Sequence, residues 1–341
     1  MILCCGEALI DMLPRRIGTL TEEQRGMEEE QGGDSGSGGT ALLPCPGGSP
    51  YNTAIAIGRL GVPAGFLGKL STDFFGDILV RRLVENGVSP DCILRSGENS
   101  TLAFVKLDPG AEPQYVFYTE GSADRSLSPA DLPPALPGAV DCILFGSISM
   151  TMEPIASAIE SLIRREAARG SGAPVISLDP NIRPFMIRSR EGYVQRFEGW
   201  LRDTVIAKVS EADLDFIYPG QGPEEALEGI LARGPQLGVS TLGPRGALAL
   251  LRREDGSLLR AEAPVVDLPV ADTIGAGDTF HGAFLAWLER HGRMSRSALA
   301  ALGEAELSEA LFFANKAASL VCSRRGAEPP TLGEVEQLAV R

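Results

Sequence analysis

The sequence predicts an α/β protein in which a mostly parallel sheet is covered by helices on both faces. From Asp141 onward, short apolar runs alternate with amphipathic helical patterns, as at 141–146, 153–169 and 174–179. Strands that alternate with helices in this way form parallel sheets. In addition, a glycine-rich turn precedes a helix from Ala276, as in many sheets of this class. The 341 residues, 44% of them hydrophobic, suffice for a large core in one domain or two smaller ones.

The N-terminal region begins with residues 2–13, which predict two extended pieces separated by a break at Gly6. The following stretch, 17–40, is polar and glycine-rich, which is typical of a flexible insertion. A glycine turn at 46–50 then leads into a helix whose first turns contain Asn52. Taken alone, Asn52 fits a turn or capping asparagine better than a binding residue.

A β-hairpin is predicted outside the regular alternation of strands and helices. Residues 101–106 and 114–119 are both rich in β-forming residues, and an Asp-Pro-Gly sequence separates them. We assign this hairpin to an added small sheet. The main sheet is predicted to take further strands at 64–70, 204–209 and 237–242, a hairpin at about 247–263, and helices at about 190–203, 211–217, 223–233, 306–322 and 331–340.

Composition excludes several classes of function. A net charge of −14 argues against nucleic acid or an anionic membrane surface as a partner. No run of eighteen apolar residues is present, and the N-terminus has no basic region or cleavage site, so neither a membrane span nor a signal peptide is predicted. The six scattered cysteines are typical of buried thiols in a cytoplasmic protein. With two histidines and no Cys-x-x-Cys pair, a zinc site is disfavoured.

The stretch from Asp272 to Phe280 carries the strongest chemical signal. Gly275 and Gly277 let the backbone approach a ligand, and the helix that opens there leaves its first N–H groups unpaired. Such a helix start is an anion site suited to a phosphate. Asp278 would repel that anion unless it acts as a base on the attacking nucleophile, which suggests phosphoryl transfer. From the turn alone, an ordinary helix start with Asp278 as a dipole partner is equally compatible.

Polar residues also follow several other predicted strands. They occupy 179–183, 208–211 and 241–246. In open α/β sheets, ligands bind beyond the carboxyl ends of the strands. Four such loops, counting the turn before Asp278, favour a binding site over packing as their explanation.

These motifs resemble those of the ribokinase-like (PfkB) family of carbohydrate kinases, and within it the fructokinases most closely. The resemblance runs nearly end to end. Its first signature corresponds to Gly47-Gly48 with Asn52, and its second to residues 272–278. The sequence Asp-Pro-Asn-Ile-Arg at 179–183 is similar to a fructokinase element.

The resemblance implies a Rossmann-like core in a single domain, 1–341, with a small β-sheet lid formed by about 10–46 and 100–120. Asp278 would be the catalytic base, with the backbone of Gly275, Ala276 and Gly277 as the anion hole. The sugar site would be lined by Asp11, Gly48, Asn52, Phe104 and Arg183. The nucleotide would be contacted by Lys208, Thr241, Gly243, Gly246 and Asn315.

The implied cofactors are ATP and Mg²⁺, with K⁺ in members that use it. Glu211 matches the glutamate of the family's N-x-x-E element and would organise Mg²⁺, whereas Lys208 stands in place of its asparagine. For Lys208, contact with a phosphate and an exposed strand-end position both stay open. The candidate K⁺ ligands are Asp272, Thr273, Ser319 and the stretch around Gly326.

The expected reaction is phosphorylation of a primary hydroxyl of a neutral sugar, with fructose favoured. Glu120 would lie on the lid side of the substrate and disfavour an acidic sugar. The alternatives are a ribokinase, a 2-keto-3-deoxygluconate kinase, a nucleoside kinase and a non-enzymatic sugar- or nucleoside-binding regulator. A dehydrogenase is disfavoured because no G-x-G-x-x-G follows the first strand. Two alternatives stay open for the edges of the lid strands: they pair with a second copy to form a homodimer, or loops cover them.

Overall fold

A computed structural model describes residues 1–16, 40–106, 114–137 and 139–338. The predicted insertion at 17–40, apart from its last residue, and the predicted Asp108-Pro109-Gly110 turn lie outside these ranges. In the described part of the chain, no helix is both long and apolar enough to cross a bilayer.

The core of the described chain is a ten-stranded sheet, in the order β14-β13-β12-β11-β10-β9-β1-β4-β5, with β6 paired to β4. The strands from β12 to β4 are parallel to one another, and the β13–β14 hairpin closes one edge in antiparallel fashion. The strands are β1 Ile2–Cys5, β4 Ala64–Ser71, β5 Val88–Ser89, β6 Ile93–Ser96, β9 Cys142–Gly146, β10 Val175–Asp179, β11 Ile206–Ser210, β12 Leu237–Thr241, β13 Ala247–Arg252 and β14 Leu258–Ala263.

Helices cover both faces of this sheet, as predicted. Strand β1 is continuously apolar because both of its faces are buried. Ile2 and Cys4 pack into one core, whereas Leu3 and Cys5 pack into the core on the opposite face. The helices are α1 Ser49–Arg59, α2 Phe74–Glu85, α3 Ile155–Ala167, α4 Arg190–Trp200, α5 Glu211–Ile217, α6 Pro223–Leu231, α7 Ala276–Arg290, α8 Arg296–Ala300, α9 Glu304–Cys322 and α10 Leu332–Gln337. The short strands β5 and β6 and the helix α8 were not predicted.

A separate four-stranded sheet, which we call the lid sheet, has the order β3-β2-β7-β8. Its strands are β2 Leu9–Arg16, β3 Thr40–Gly47, β7 Thr101–Lys106 and β8 Gln114–Tyr118. The predicted small sheet is therefore present. The expectation that 101–106 offers an edge is wrong, because β7 pairs with β2 on one side and with β8 on the other.

Candidate active site

The turn before α7 has the geometry of an anion hole. Gly275 caps the helix with φ +76°, and a Cβ there would lie 2.8 Å from Cβ of Ala327, so only glycine fits both constraints. The N–H of Ala276 donates to the carbonyl of Thr273 at 3.2 Å. The N–H groups of Gly277 and Asp278 have no hydrogen-bond partner among the described residues. They stand at the positive end of a fifteen-residue helix, where an anion would be stabilised.

Asp278 lies in the first turn of α7 and is buried. Its Oδ1 accepts a hydrogen bond from Oγ of Ser49 at 2.6 Å, and its Oδ2 accepts one from Nδ2 of Asn52 at 2.9 Å. Burial raises the pKa of Asp278, although these two hydrogen bonds oppose the rise. The helices α1 and α7 thus meet at their N-termini, with the carboxylate of Asp278 between them.

One cavity, which we call the polar cavity, opens over Asp278 and has a volume of 390 Å³. Three carboxyl groups line it, from Glu7, Asp11 and Asp278, and Arg183 lies in its wall. Burial raises the pKa of Asp11 to about 6, and the positive charge of Arg183 opposes this rise. The predicted residues Gly48 and Asn52 also line it, together with Ser49 and, from the lid sheet, Val105 and Phe117.

A second cavity, which we call the apolar cavity, has a volume of 420 Å³ and lies on the other side of the turn. Its lining is dominated by apolar side chains, including those of Val265, Val266, Leu268, Val270 and Phe280. Thr273 and Gly277 line both cavities. The anion hole therefore lies at the boundary between the two cavities.

The residues predicted to contact a nucleotide line the apolar cavity, with the exception of Lys208. They are Thr241, Gly243, Gly246 and Asn315. Gly246 has φ +92°, and a Cβ on it would lie 2.1 Å from the carbonyl oxygen of Ala263. The side chain of Asn315 donates to the carbonyls of Ala263 and Pro264, at 3.0 and 2.9 Å. This amide therefore holds the wall of the cavity.

Lys208 and Glu211 have different surroundings. Lys208 is 3% exposed, and its Nζ lies 2.8 Å from Oδ2 of Asp179, so it is not an exposed strand-end lysine. Glu211, the first residue of α5, is exposed and forms an ion pair with Arg245. Neither residue lines either cavity. Among the described residues, no group of three or more His, Cys, Asp or Glu side chains could hold a metal ion.

Some of the residues predicted to bind K⁺ lie close together in the structure. Oδ2 of Asp272 accepts the N–H of Gly326 at 3.0 Å, and its Oδ1 accepts the N–H of Ile274 at the same distance. Ser319 lies on α9 and lines the apolar cavity, as Thr273 does, and its Oγ accepts the N–H of Val266 at 3.3 Å. Asp272 therefore ties the segment at Gly326 to the turn of the anion hole.

Two expectations about the substrate site are corrected by the structure. Phe104 does not line the polar cavity; its ring packs edge-on against Tyr118, with centroids 5.4 Å apart. Successive side chains of a strand point to opposite faces, so Val105 faces the cavity instead. Glu120 lines a separate surface cavity with Arg125 and not the polar cavity.

Several residues of the site were not singled out from the sequence. Glu7 follows β1 and is 1% exposed, and its carboxylate accepts the N–H groups of Ser49 and Ser149, both at 3.2 Å. Phe117 stacks on Phe185, with centroids 5.9 Å apart, and both rings line the polar cavity. The position of Ser49 directly after Gly47-Gly48 was a usable signal, whereas nothing local marked Glu7 or Phe117.

This combination of fold and site defines a class of protein. A doubly covered parallel sheet carries an anion hole between a polar and an apolar cavity, with a buried carboxylate on the polar side. Such a site suits an enzyme that moves a phosphoryl group from a nucleotide to a small polar molecule.

Comparison with known proteins agrees with this class. The model of the pfkB family carbohydrate kinases matches residues 20–332. A fructokinase of Rhizobium leguminosarum bv. trifolii is 37% identical over 308 residues, which are 90% of this chain and 85% of that protein. Fructokinase-1 of Oryza sativa subsp. japonica is 33% identical over 340 residues, covering 99% of this chain and 96% of the relative.

Among solved structures, the fructokinase of Xylella fastidiosa with bound ATP is similar, with a TM-score of 0.83 and 28% identity. The match covers 99% of this chain and 97% of that one. The chain therefore belongs to the pfkB family of carbohydrate kinases, which confirms the predicted family and fold class.

Proposed function

We propose that the protein transfers the γ-phosphoryl group of ATP to a primary hydroxyl of a neutral ketohexose such as fructose. One observation carries this proposal: Gly277, a residue of the anion hole, lines both the polar and the apolar cavity. A nucleotide in the apolar cavity and a sugar in the polar cavity would meet there, with Asp278 on the side of the sugar.

The proposed reaction starts with the sugar hydroxyl placed against Asp278. The carboxylate takes the proton as the hydroxyl oxygen bonds to the γ-phosphorus, and the bond from that phosphorus to the β,γ-bridging oxygen breaks to release ADP. The N–H groups at the start of α7 stabilise the negative charge of the transferred group. Ser49 and Asn52 hold the base in place through their hydrogen bonds.

Glu211 is the proposed protein ligand for Mg²⁺. It follows β11, next to β12, whose last residue Thr241 lines the apolar cavity. A single exposed carboxylate suits Mg²⁺, which keeps most of its waters and binds substrate phosphates. When bound, the ion would neutralise charge on the phosphates. Its binding would require Glu211 to leave, or share, its ion pair with Arg245.

A potassium site is proposed beside the anion hole. Asp272, Thr273 and Ser319 offer oxygen atoms, which are the ligands that hard cations prefer. The bond from the N–H of Gly326 to Asp272 brings a further segment of backbone close to them.

A neutral substrate is supported by the charges of the polar cavity. Three carboxyl groups line it, against the single guanidinium of Arg183. Arg183 is exposed, and its Nη1 already donates to Oδ1 of Asn181 at 2.8 Å. An acidic sugar would meet like charges, whereas carboxylates readily accept hydrogen bonds from hydroxyls. The names of the relatives, both fructokinases, further favour fructose.

A coupled assay of ADP release tests the substrate. We expect kcat/KM for fructose to exceed the values for ribose, a nucleoside, 2-keto-3-deoxygluconate and fructose 6-phosphate. A higher value for either acidic substrate would make Arg183 an anion-binding residue and contradict the neutral assignment. Absence of ADP release with every sugar, together with measurable sugar binding, would favour the non-enzymatic regulator.

We also propose that residues 1–341 form one domain and that two copies associate through the outer face of the lid sheet. That face exposes Leu42, Val116 and Tyr118, which are 44%, 56% and 63% exposed. Val116 and Tyr118 are two residues apart on β8, and adjoining exposed apolar side chains are typical of an interface between proteins.

A further inference from the structure

Lys208 lies directly behind the anion hole. A Cβ built on Gly277 would be 3.3 Å from Nζ of Lys208, so the ammonium group lies on the side of Gly277 where a side chain would project. The side chain is 3% exposed. A buried ammonium group is costly unless it is paired, so its place in the fold requires an explanation.

Asp179 holds this ammonium group. It is buried at the end of β10, and its Oδ2 accepts a hydrogen bond from Nζ of Lys208 at 2.8 Å. Nδ1 of His281 lies 3.6 Å from the same oxygen. Burial acts to raise the pKa of Asp179, but Lys208 and His281 bring it down to about 2. Asp179 is therefore a fixed anion that anchors Lys208.

The charged groups around Lys208 come from three elements. Asp179 lies on β10, Asp213 on α5, and Asp278 with His281 on α7. His281 lies one helical turn after Asp278, and its Nε2 is 2.8 Å from Oγ of Ser177. Burial lowers the pKa of His281, so its ring is a neutral support. Lys208 is thus the positive charge of this group of residues, and it lies behind Gly277 rather than in the wall of either cavity.

We propose that Lys208 is a positioning residue for phosphoryl transfer: its ammonium group, anchored by Asp179, supplies a fixed positive charge behind Gly277. This proposal rests on the proposed function. The negative charge of a transferred phosphoryl group gathers on its equatorial oxygens, in front of the N–H groups of the turn. A fixed charge in a dry site stabilises it strongly, since no solvent must reorganise. Lys208 transfers no proton in this proposal.

The test must separate this effect from the stability of the buried pair. Lys208→Met alone would leave Asp179 buried and unpaired, which can unfold a protein. The informative variant is therefore Lys208→Met with Asp179→Asn, which removes both charges. Asp179→Asn alone is the matched control, because it keeps the ammonium group and an amide oxygen that can still accept its hydrogen bond. Thermal unfolding identifies which variants are folded.

We expect the double variant to lose about 100-fold in kcat relative to the Asp179→Asn control, which is the usual effect of removing one stabilising group from an anion hole. The KM for the sugar and the Kd for ADP should change by less than about threefold, because neither ligand carries the transferred group. A folded double variant with the kcat of its control would overturn the proposal.

A second measurement is independent of the sugar. Calorimetry with ADP and Mg²⁺, with and without AlF₄⁻, measures how much this mimic of the phosphoryl group tightens ADP binding. We expect AlF₄⁻ to tighten the binding of ADP in the wild type and in the control. In the double variant, this tightening should be smaller by at least about 30-fold. Equal tightening in both variants, or none in the wild type, would contradict the role of Lys208. If the wild type phosphorylates no neutral sugar, the proposed function fails, while AlF₄⁻ binding still decides the role of Lys208.

Discussion

Asp278 illustrates how single hydrogen bonds define the chemistry of the site. Ser49 and Asn52 each donate to a different oxygen of this carboxylate, at 2.6 and 2.9 Å. The carboxylate is therefore fixed in orientation, and its exposed side faces the polar cavity. If Asp278 is the proposed base, a carboxylate held in this way needs little reorganisation when a hydroxyl arrives.

Asp278→Asn should reduce kcat at least 100-fold while it leaves the affinities for sugar and ATP nearly unchanged, because an amide cannot accept the proton. Steady-state kinetics and calorimetry measure the two effects. Asp255→Asn, at an exposed turn of the β13–β14 hairpin, is the matched control and should have wild-type activity. Retention of more than a tenth of wild-type kcat by Asp278→Asn would exclude it as the base.

The role of Glu211 is tested by the dependence of the rate on Mg²⁺. Glu211→Gln should raise the Mg²⁺ concentration for half-maximal rate by about tenfold and leave the KM for sugar unchanged, because an amide is a weaker Mg²⁺ ligand than a carboxylate. Glu262→Gln is a matched control, since Glu262 is also exposed and paired with an arginine, Arg260, but lies on β14. An unchanged Mg²⁺ requirement in Glu211→Gln would remove it from the metal site.

At the scale of elements, the alternation of side chains along the lid strands decides which residues reach the polar cavity. Val105 and Phe117 face it, whereas Phe104 and Tyr118 pack together on the outer face. Because the period of a strand is two, an assignment that is displaced by one residue selects the wrong face. The assignment of Phe104 from sequence resemblance failed for this reason.

The two faces of the lid sheet give a paired prediction. Phe117→Ala should raise the KM for sugar by about tenfold, because it removes an aromatic wall of the polar cavity, and it should leave the KM for ATP unchanged. Phe104→Ala removes a ring of the same size from the outer face and should leave both KM values unchanged. A larger effect of Phe104→Ala than of Phe117→Ala on the KM for sugar would contradict this assignment of the faces.

Glu7 connects three elements, because it follows β1 and accepts N–H groups from the first residue of α1 and from the turn after β9. Burial raises its pKa from 4.5 to about 7. The folded protein therefore holds a proton that the unfolded chain releases above pH 4.5. This contribution to stability is fully present below pH 4.5 and is lost as the pH rises to about 7.

Glu7→Gln removes this titration. Urea unfolding should show that the free energy of unfolding of wild type relative to Glu7→Gln falls by about 3 kcal/mol between pH 4.5 and pH 8. The comparison uses the change with pH, so a constant penalty from the amide does not affect it. A difference between the two proteins that is the same at both pH values would mean that Glu7 does not titrate in this range.

On the scale of the whole molecule, self-association through the outer face of the lid sheet is a proposal that can be tested directly. Leu42 is exposed on the edge strand β3, and Val116 and Tyr118 are exposed on β8 at the opposite edge. We expect the molecular mass from light scattering to be twice that of the chain. Tyr118→Lys should shift it to the mass of the monomer.

Ile274→Lys is the matched control for the dimer. Ile274 is 39% exposed but lies in the turn before α7, away from the lid strands, so this variant should stay dimeric. A wild-type protein that is monomeric at all measured concentrations would contradict the interface.

Local sequence patterns were sufficient for most strands and helices of the main sheet, though not for β5, β6 and α8, and for the turn at 272–278. Apolar periodicity depends on neighbours a few residues apart, and a glycine with φ +76° before Asp278 is a requirement of the turn itself. The family signatures are also local, so they located Asn52, Thr241 and Gly246 in the walls of the two cavities.

Long-range packing was needed for the remaining features of the site. The residues beside Lys208 are compatible with an exposed lysine at the end of a strand. In the structure, Lys208 is buried and pairs with Asp179, which lies 29 residues away on the neighbouring strand. Glu7 and Ser149 are 142 residues apart in the chain, but they are hydrogen-bonded to each other beyond the carboxyl ends of β1 and β9. A buried charge depends on the desolvation and the partners that tertiary packing provides, and neither is encoded in the residues beside it.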